Sequence, residues 1–454
     1  MSLTLTCLGG AGTVTGSRHL LESEGGRILI DCGLFQGLKA SREMNWAPFP
    51  VDPRRIDGVV LTHAHLDHSG YLPRLVQSGY AGEVVCSPGT ADLAEILLRD
   101  AAKLQERDAE RANRHGYTRH SPALPLYTVR QAERALKRVR TQPFSTEREI
   151  AAGARLRLLR AGHILGASIA ELSWGGRKVV FSGDLGRYDD AVMKDPERVA
   201  RADYLVVEST YGDRLHPPQD PADALLEVVQ RTVARGGTVI IPSFAVGRAQ
   251  LLLHHLWRLK RSGLLGLIPI YLDSPMAVDA TALMVAHMGD HRLSPDECRA
   301  SCHVAEYVRD VEASKALSAN SMPKIIISAS GMATGGRVLH HIRAFGGDPR
   351  NTILFSGYQA VGTRGAKLLA GQRDVRIFGQ WFHVRAEIAD LPMLSAHADA
   401  DEIMRWLSGF EAPPVETFIV HGEPAASEAL RDRISRELGW RSTVAVQSAA
   451  YSLP

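Results

Sequence analysis

The sequence predicts an α/β protein built from more than one domain, and three observations carry that prediction. The chain has 454 residues, more than a single hydrophobic core ordinarily serves. Its opening stretch is β-rich, with short apolar runs separated by glycine turns. Between about residues 212 and 384 the texture changes. There Val239-Ile-Ile-Pro, Pro269-Ile-Tyr-Leu, Lys324-Ile-Ile-Ile-Ser and Thr352-Ile-Leu-Phe-Ser are continuous apolar runs, each followed by Ser, Gly or Pro and then by a helical pattern. Such runs mark strands buried on both faces, hence a mainly parallel sheet covered by helices.

Composition narrows the class. The chain is 45% hydrophobic and 23% charged, ordinary for a soluble globular protein, and its net charge of +3 does not describe a polyanion-coating protein. No apolar run reaches the length that spans a bilayer, and the Met1–Leu8 stretch reads as a strand rather than a signal peptide, so no membrane contact is expected. The five cysteines (Cys7, Cys32, Cys86, Cys298 and Cys302) are odd in number and scattered, which fits a reducing cytoplasm.

The elements follow in order. Leu3-Thr-Leu-Thr-Cys-Leu alternates and reads as a strand. Gly9 to Gly16 is a glycine-rich turn; a nucleotide loop would need a helix behind it, whereas Ser17-Arg-His-Leu-Leu reads as strand. His19-Leu-Leu-Glu and Arg27-Ile-Leu-Ile-Asp31 form a further pair of strands. Asp31 is then either a turn residue or, beside a metal cluster, the partner that orients a ligand histidine. Residues 38–57 are irregular and proline-containing, and the Val59-Val-Leu61 strand follows them. Residues 91–112 read as a long helix with a solvated charged face, 113–126 as a basic loop, and 129–140 as another helix. Cys298 and Cys302 share a helix face, but no second pair accompanies them as a zinc knuckle needs.

The strand at Val59 delivers the densest chemistry in the chain, His63-Ala-His65-Leu-Asp67-His68. His63 and His65 leave a strand end on the same side. A lone histidine on an apolar face is more often a packed core residue. Four ligand-type side chains within six positions have no packing explanation, and imidazole with carboxylate is the ligand set of a hydrolytic zinc site. Two later residues supply what such a site still lacks: His163 between apolar segments, and Asp184 just past the Lys178-Val-Val-Phe strand.

That order of ligands resembles the metallo-β-lactamase fold. Tyr204-Leu-Val-Val-Glu208-Ser-Thr-Tyr-Gly212 resembles motif A of its β-CASP branch, Ser395-Ala-His397-Ala-Asp399 motif B, and Phe418-Ile-Val-His421-Gly-Glu motif C. Pro242-Ser-Phe-Ala-Val-Gly-Arg248, Ser330-Gly-Met-Ala-Thr-Gly-Gly-Arg337 and Gly357-Tyr-Gln-Ala-Val-Gly-Thr363 are similar to stretches of the same branch. The branch includes the cleavage-and-polyadenylation endonuclease, ribonuclease J and prokaryotic relatives, and the resemblance covers essentially the whole chain. It implies an αββα metallo-β-lactamase sandwich from residues 1–211 and 385–454, interrupted by a β-CASP domain at 212–384.

The resemblance also implies the site. His63, His65 and His163 would hold one zinc, Asp67, His68 and His421 a second, with Asp184 bridging and a shared hydroxide as nucleophile. Manganese would substitute in vitro. His397 would serve the leaving oxygen with Glu208 orienting it, and Asp31 would anchor a ligand from behind. The histidine at motif C, His421, implies RNA rather than DNA, so the expected activity is single-stranded endoribonuclease in RNA processing or decay. A 5′-exoribonuclease is the alternative within the family. Ribonuclease J-like members carry an additional C-terminal domain, and some thirty residues follow His421 here. A thioesterase or lactonase on the same metal core is the alternative outside the family. Homodimers occur among relatives. In the inserted domain, three post-strand loops offer glycine, hydroxyl and arginine for phosphate: Ser243, Gly247 and Arg248; Ser330, Thr334, Gly335, Gly336 and Arg337; Gly357, Gly362, Thr363 and Arg364.

Overall fold

The computed structural model describes residues 2–116, 120–360 and 362–454. Tyr117, Thr118 and Arg119 of the expected basic loop, and Val361 of the third glycine loop, lie outside the described residues. The chain divides into two compact units. Met1–Asp190, Lys194–Leu215 and His397–Pro454 form the first; Ala191–Met193 and His216–Ala396 form the second.

The first unit packs two seven-stranded sheets face to face. In one, Leu3–Gly9 lies antiparallel between Ala450–Leu453 and Arg18–Ser23, and Gly26–Ile30 continues the antiparallel order. Gly58–Val60, Glu83–Cys86 and Val139–Thr141 then add in parallel. In the other, Glu147–Ala151, Ala154–Arg160, Ser168–Trp174 and Arg177–Phe181 form an antiparallel meander, and Tyr204–Glu208, Glu416–Val420 and Ser442–Val444 extend it in parallel. Period-two patterning decides which faces meet: Leu3, Leu5 and Cys7 are wholly buried while Thr4 and Thr6 are half-buried. With Ile28, Ile30, Leu156, Leu158, Phe181, Val206 and Phe418 they form the core between the sheets. Each large apolar side chain buried there contributes about 1.5–3 kcal/mol relative to exposure.

Helices cover the outer faces, completing the αββα sandwich. Pro88–His115 packs beside Val139–Thr141, and Pro424–Leu438 beside Glu416–Val420. The first is longer than the expected 91–112 because Ser87 caps it, accepting from Thr90 N at 3.1 Å, with Pro88 in the first turn. Gly116, at φ 63°, ends it in the left-handed conformation. The helix expected over 129–140 stops at Leu136, because Val139–Thr141 joins the sheet edge beside Glu83–Cys86. Tertiary pairing there overrides a helical pattern.

The second unit is built on an all-parallel sheet of six strands, with Asp374–Ile377 and Gln380–His383 as a separate antiparallel pair. The order in the sheet is Glu306–Tyr307, Ile270–Asp273, Ile325–Ser328, Val239–Pro242, Thr352–Phe355 and Glu387–Asp390. Its central strands are buried from end to end because helices cover both faces. Glu387–Asp390 pairs with Thr352–Phe355, so residues 385–396 stay in this unit, and the chain returns to the first unit at His397 rather than 385. Among the described residues no helix is long and apolar enough to cross a membrane.

Candidate metal centre

The carboxyl ends of the first unit's strands deliver the site. His63 follows Gly58–Val60. His65 opens the one-turn helix Leu66–Ser69, which carries Asp67 and His68. That turn is held by its carbonyls: Leu66 O accepts from Leu34 N (2.8 Å), Asp67 O from Ser17 N (2.8 Å) and His68 O from Cys32 N (2.7 Å). Gly33 makes this approach possible, since a Cβ there would lie 1.6 Å from Asp67 O. His163 comes from the connection after Ala154–Arg160, and Asp184 from the end of Arg177–Phe181. His421 follows Glu416–Val420 at φ 48°, its N–H donating to Gly10 O at 2.5 Å. The glycine-rich turn thus supports a histidine rather than a phosphate.

The seven side chains converge in two sets. His63, His65, His163 and Asp184 bring one ligand atom each within 4.8 Å of one another, as do Asp67, His68 and His421. Asp184 faces both sets. Its Oδ2 lies 3.5 Å from His63 Nε2 and 3.7 Å from His163 Nε2, and its Oδ1 3.2 Å from His68 Nε2 and 3.3 Å from His421 Nδ1. Oδ1 is buried yet makes no hydrogen bond. Atoms so close without donor–acceptor geometry face one another as co-ligands of a cation do. The donor chemistry fits a divalent metal held by nitrogen and oxygen.

Electrostatics agree. Burial pushes the His63 imidazole well below its ordinary range and His65 down to about 4, which leaves neutral nitrogens with lone pairs to donate. Burial would raise the Asp67 carboxyl, but a hydrogen bond from His421 and the charges of His68 and His421 take it down to about 2. Asp184 is also held well below the usual carboxylate range, burial being outweighed by His421, His68 and His63. His68 is raised despite burial because Asp184 and Asp31 flank it.

Behind the histidines stands a relay. Asp31, buried and at φ 61°, accepts from Thr62 N (2.7 Å) and Thr62 Oγ1 (2.8 Å), and its Oδ2 lies 2.8 Å from His68 Nδ1. The Thr62 hydroxyl, having donated to Asp31, can only accept from His63 Nδ1 at 3.2 Å. One carboxylate therefore fixes both His68 and His63 with Nε2 bare and turned inward. Thr62 went unread in the sequence, although it directly precedes His63. Thr210, two residues past Glu208, also went unread, and its Oγ1 lies 3.1 Å from His421 Nδ1.

Glu208 and His397 sit against the cluster. Glu208 is fully buried; its Oε1 accepts from Leu185 N (2.6 Å) and lies 3.3 Å from His397 Nδ1. His397 Nδ1 is 3.8 Å from Asp184 Oδ2, and its side chain is 18% exposed against 0–4% for His63, His68, His163 and His421, so with Asp67 at 21% it lies on the solvent side of the site. Burial lowers this imidazole, but Glu208, then Asp184 and Asp67, outweigh it and hold the group above its ordinary range. Asp399 caps the next helix, Ala400–Leu407, in a capping box with Glu402.

In the second unit, the three expected phosphate loops do lie together at the carboxyl edge of the parallel sheet: Gln359 Nε2 donates to Gly331 O (3.1 Å) and Gly365 N to Met332 O (3.1 Å). The arginines, however, face inward. Buried Arg248 donates to Ser356 O, with Gly357 against its guanidinium. Arg337 binds Asp273 Oδ1 (2.7 Å) and Arg309 O (2.6 Å), and Arg364 binds Arg376 O and Ala333 O. Post-strand loops leave carbonyls unpaired, and a guanidinium with five donors ties them together. These arginines therefore fasten the loops instead of presenting charge to a phosphate. Ser243 is buried, its hydroxyl donating to Phe244 O, and Thr363 caps Ala366 N. Ser330 Oγ accepts from Thr334 N and Gly335 N, and Gly336, at φ 76°, packs on Ala329 O. Thr334 and Gly336 are exposed at this edge.

With two histidine–carboxylate sets on an αββα sandwich, the fold and site define a metallo-hydrolase. The Metallo-beta-lactamase superfamily matches residues 12–242, the Beta-Casp domain residues 249–368, and the Zn-dependent metallo-hydrolase RNA specificity domain residues 381–445. The chain belongs to the β-CASP family of the metallo-β-lactamase superfamily. It is 39% identical over 427 residues to Ribonuclease TTHA0252 of Thermus thermophilus, covering 91% of this chain and 92% of that one. It is 32% identical to Transcription termination factor FttA of Methanosarcina mazei and 31% to that of Pyrococcus abyssi, covering 96% of this chain and 69% of each. A protein of unknown function from Enterococcus faecalis shares the fold over the full length of both chains, with a TM-score of 0.57 at 13% identity.

Proposed function

We propose that the chain is a zinc-dependent endoribonuclease acting on single-stranded RNA, with two zinc ions per chain. The observation that carries this reading is the placement of His397, backed by Glu208, beside Asp184 and the two ligand sets. A small-molecule hydrolase would need the metals but not that pair. His63, His65 and His163 would hold one ion, Asp67, His68 and His421 the other, and Asp184 both. When bound, two such ions activate water and neutralise the charge that builds on the phosphate. The protein's own part is orientation and proton delivery. Glu208 Oε1 holds His397 at Nδ1, which puts Nε2 on the far side of the ring, where it can pass a proton to the leaving oxygen. The name of the similar ribonuclease and the match to the RNA specificity domain support RNA as the substrate.

The test is incubation with RNA labelled at either end, alongside His63→Ala, His397→Ala and Glu208→Gln. Internal fragments are expected, with about two zinc ions per chain by elemental analysis. Loss of the proton donor is expected to lower kcat about 10²–10⁴-fold while metal content stays. Mononucleotides from the 5′ end alone would make the enzyme an exonuclease. No cleavage with zinc or manganese present, or full activity in the His397 and Glu208 variants, would overturn the reading.

A further inference from the structure

The first unit has a second concave feature, away from the histidines. A cavity of ≈ 480 Å³ is lined on its polar side by Arg134, Lys137, Arg138, Arg140 and Glu83. Its one carboxylate is already engaged: Glu83 pairs with Arg140 at 3.3 Å and with Arg148 at 2.5 Å. Arg138 is tied to Ala81 O. Arg134 and Lys137 are exposed and, among the described residues, make no ion pair. With Arg130 they lie at i, i+4 and i+7 along Val129–Leu136 and its C-cap, so they share one helix face, with Glu133 as the acidic neighbour. Like charges at that spacing repel, and a bound polyanion relieves the repulsion.

The cavity sits at the opposite end of the sheet from the metal cluster. Glu83 pairs in register with Gly58, at the amino end of the strand whose carboxyl end carries His63. His63 lies five positions after Gly58, a span on the order of 15 Å. No aromatic ring lines the cavity, so a base has nothing to stack on, and what is offered is positive charge for phosphate. We propose that this cavity and the Arg130–Arg134–Lys137 face form an exosite for the backbone of a long RNA whose scissile bond lies at the metal centre. The proposal rests on the RNA reading above.

The double variant Arg134→Ala, Lys137→Ala tests it on a long single-stranded RNA and on a dinucleotide too short to reach both places. With the long RNA, KM is expected to rise several-fold at unchanged kcat. The dependence of log kcat/KM on log salt is expected to flatten by about 1.4, the value for two lost phosphate contacts on a single strand. Dinucleotide cleavage is expected to match wild type. A long-RNA KM and salt slope equal to wild type, or an equal loss on both RNAs, overturns the exosite. Wild-type protein that cleaves neither RNA overturns the RNA reading, and the exosite with it.

Discussion

Replacing Asp31 with Asn tests whether one carboxylate governs both halves of the metal cluster. Asparagine keeps the shape and tolerates the left-handed backbone at φ 61°, which alanine would strain. Thr62 N, donating at 2.7 Å, holds the amide oxygen in place, so the amide NH₂ takes the Oδ2 position. There it meets His68 Nδ1–H donor to donor, and it donates to Thr62, whose hydroxyl then turns toward His63 Nδ1. Both imidazoles are pushed toward the tautomer with the proton on Nε2, the nitrogen that faces the cluster. Loss of such a supporting partner weakens metal binding about 10–100-fold, or about 1.4–2.7 kcal/mol. Zinc titration against a competing chelator is expected to show both sites weakened by that factor. Thr62→Val cuts only the His63 branch and is expected to weaken one site. Unchanged affinity in Asp31→Asn, or two weakened sites in Thr62→Val, would refute the relay.

Two further outcomes follow from burial and close approach. Gly33→Ala puts a methyl 1.6 Å from Asp67 O and 2.9 Å from His68 N, backbone that cannot swing aside; a shift of about 1 Å in the ligands is expected to cost on the order of 100-fold in kcat and to lower zinc per chain. His255 is buried with an unpartnered Nδ1, and burial lowers its pKa to about 3 from the 6.5 of an unfolded chain. Its contribution to stability is therefore complete above about pH 6.5 and is lost on acidification toward pH 3, at up to about 1.4 kcal/mol per pH unit. His255→Leu is expected to flatten the fall of Tm between neutral pH and mild acid; an unchanged slope would show that this imidazole is not the acid-sensitive group.

The seven candidate ligands were legible in the chain because metal chemistry admits few residue types, and four of them are packed into one strand-end segment. The strands of the second unit were legible for a similar reason, since burial on both faces leaves an unbroken apolar run. Arg248, Arg337 and Arg364 show the opposite case. A glycine–hydroxyl–arginine loop announces charge, but whether the guanidinium points outward depends on which carbonyls the neighbouring loops leave unpaired. Val139–Thr141 likewise reads as the end of a helix until Glu83–Cys86 lies beside it.

By itself, then, the sequence determined which atoms are available to hold metal and in what order the strands present them. Only the tertiary structure decided how those atoms are aimed. Asp184 splits its two oxygens between the ligand sets, Asp31 orients His68 directly and His63 through Thr62, and Gly33 admits the turn that carries Asp67. The cationic cavity beside Arg134 belongs to the same category, because its walls come from three separate stretches of chain. Ligand identity is local covalent chemistry and survives in a linear string. Tautomer, tilt and concavity are set by contacts between residues far apart in the chain, and those exist only once the sheets have packed.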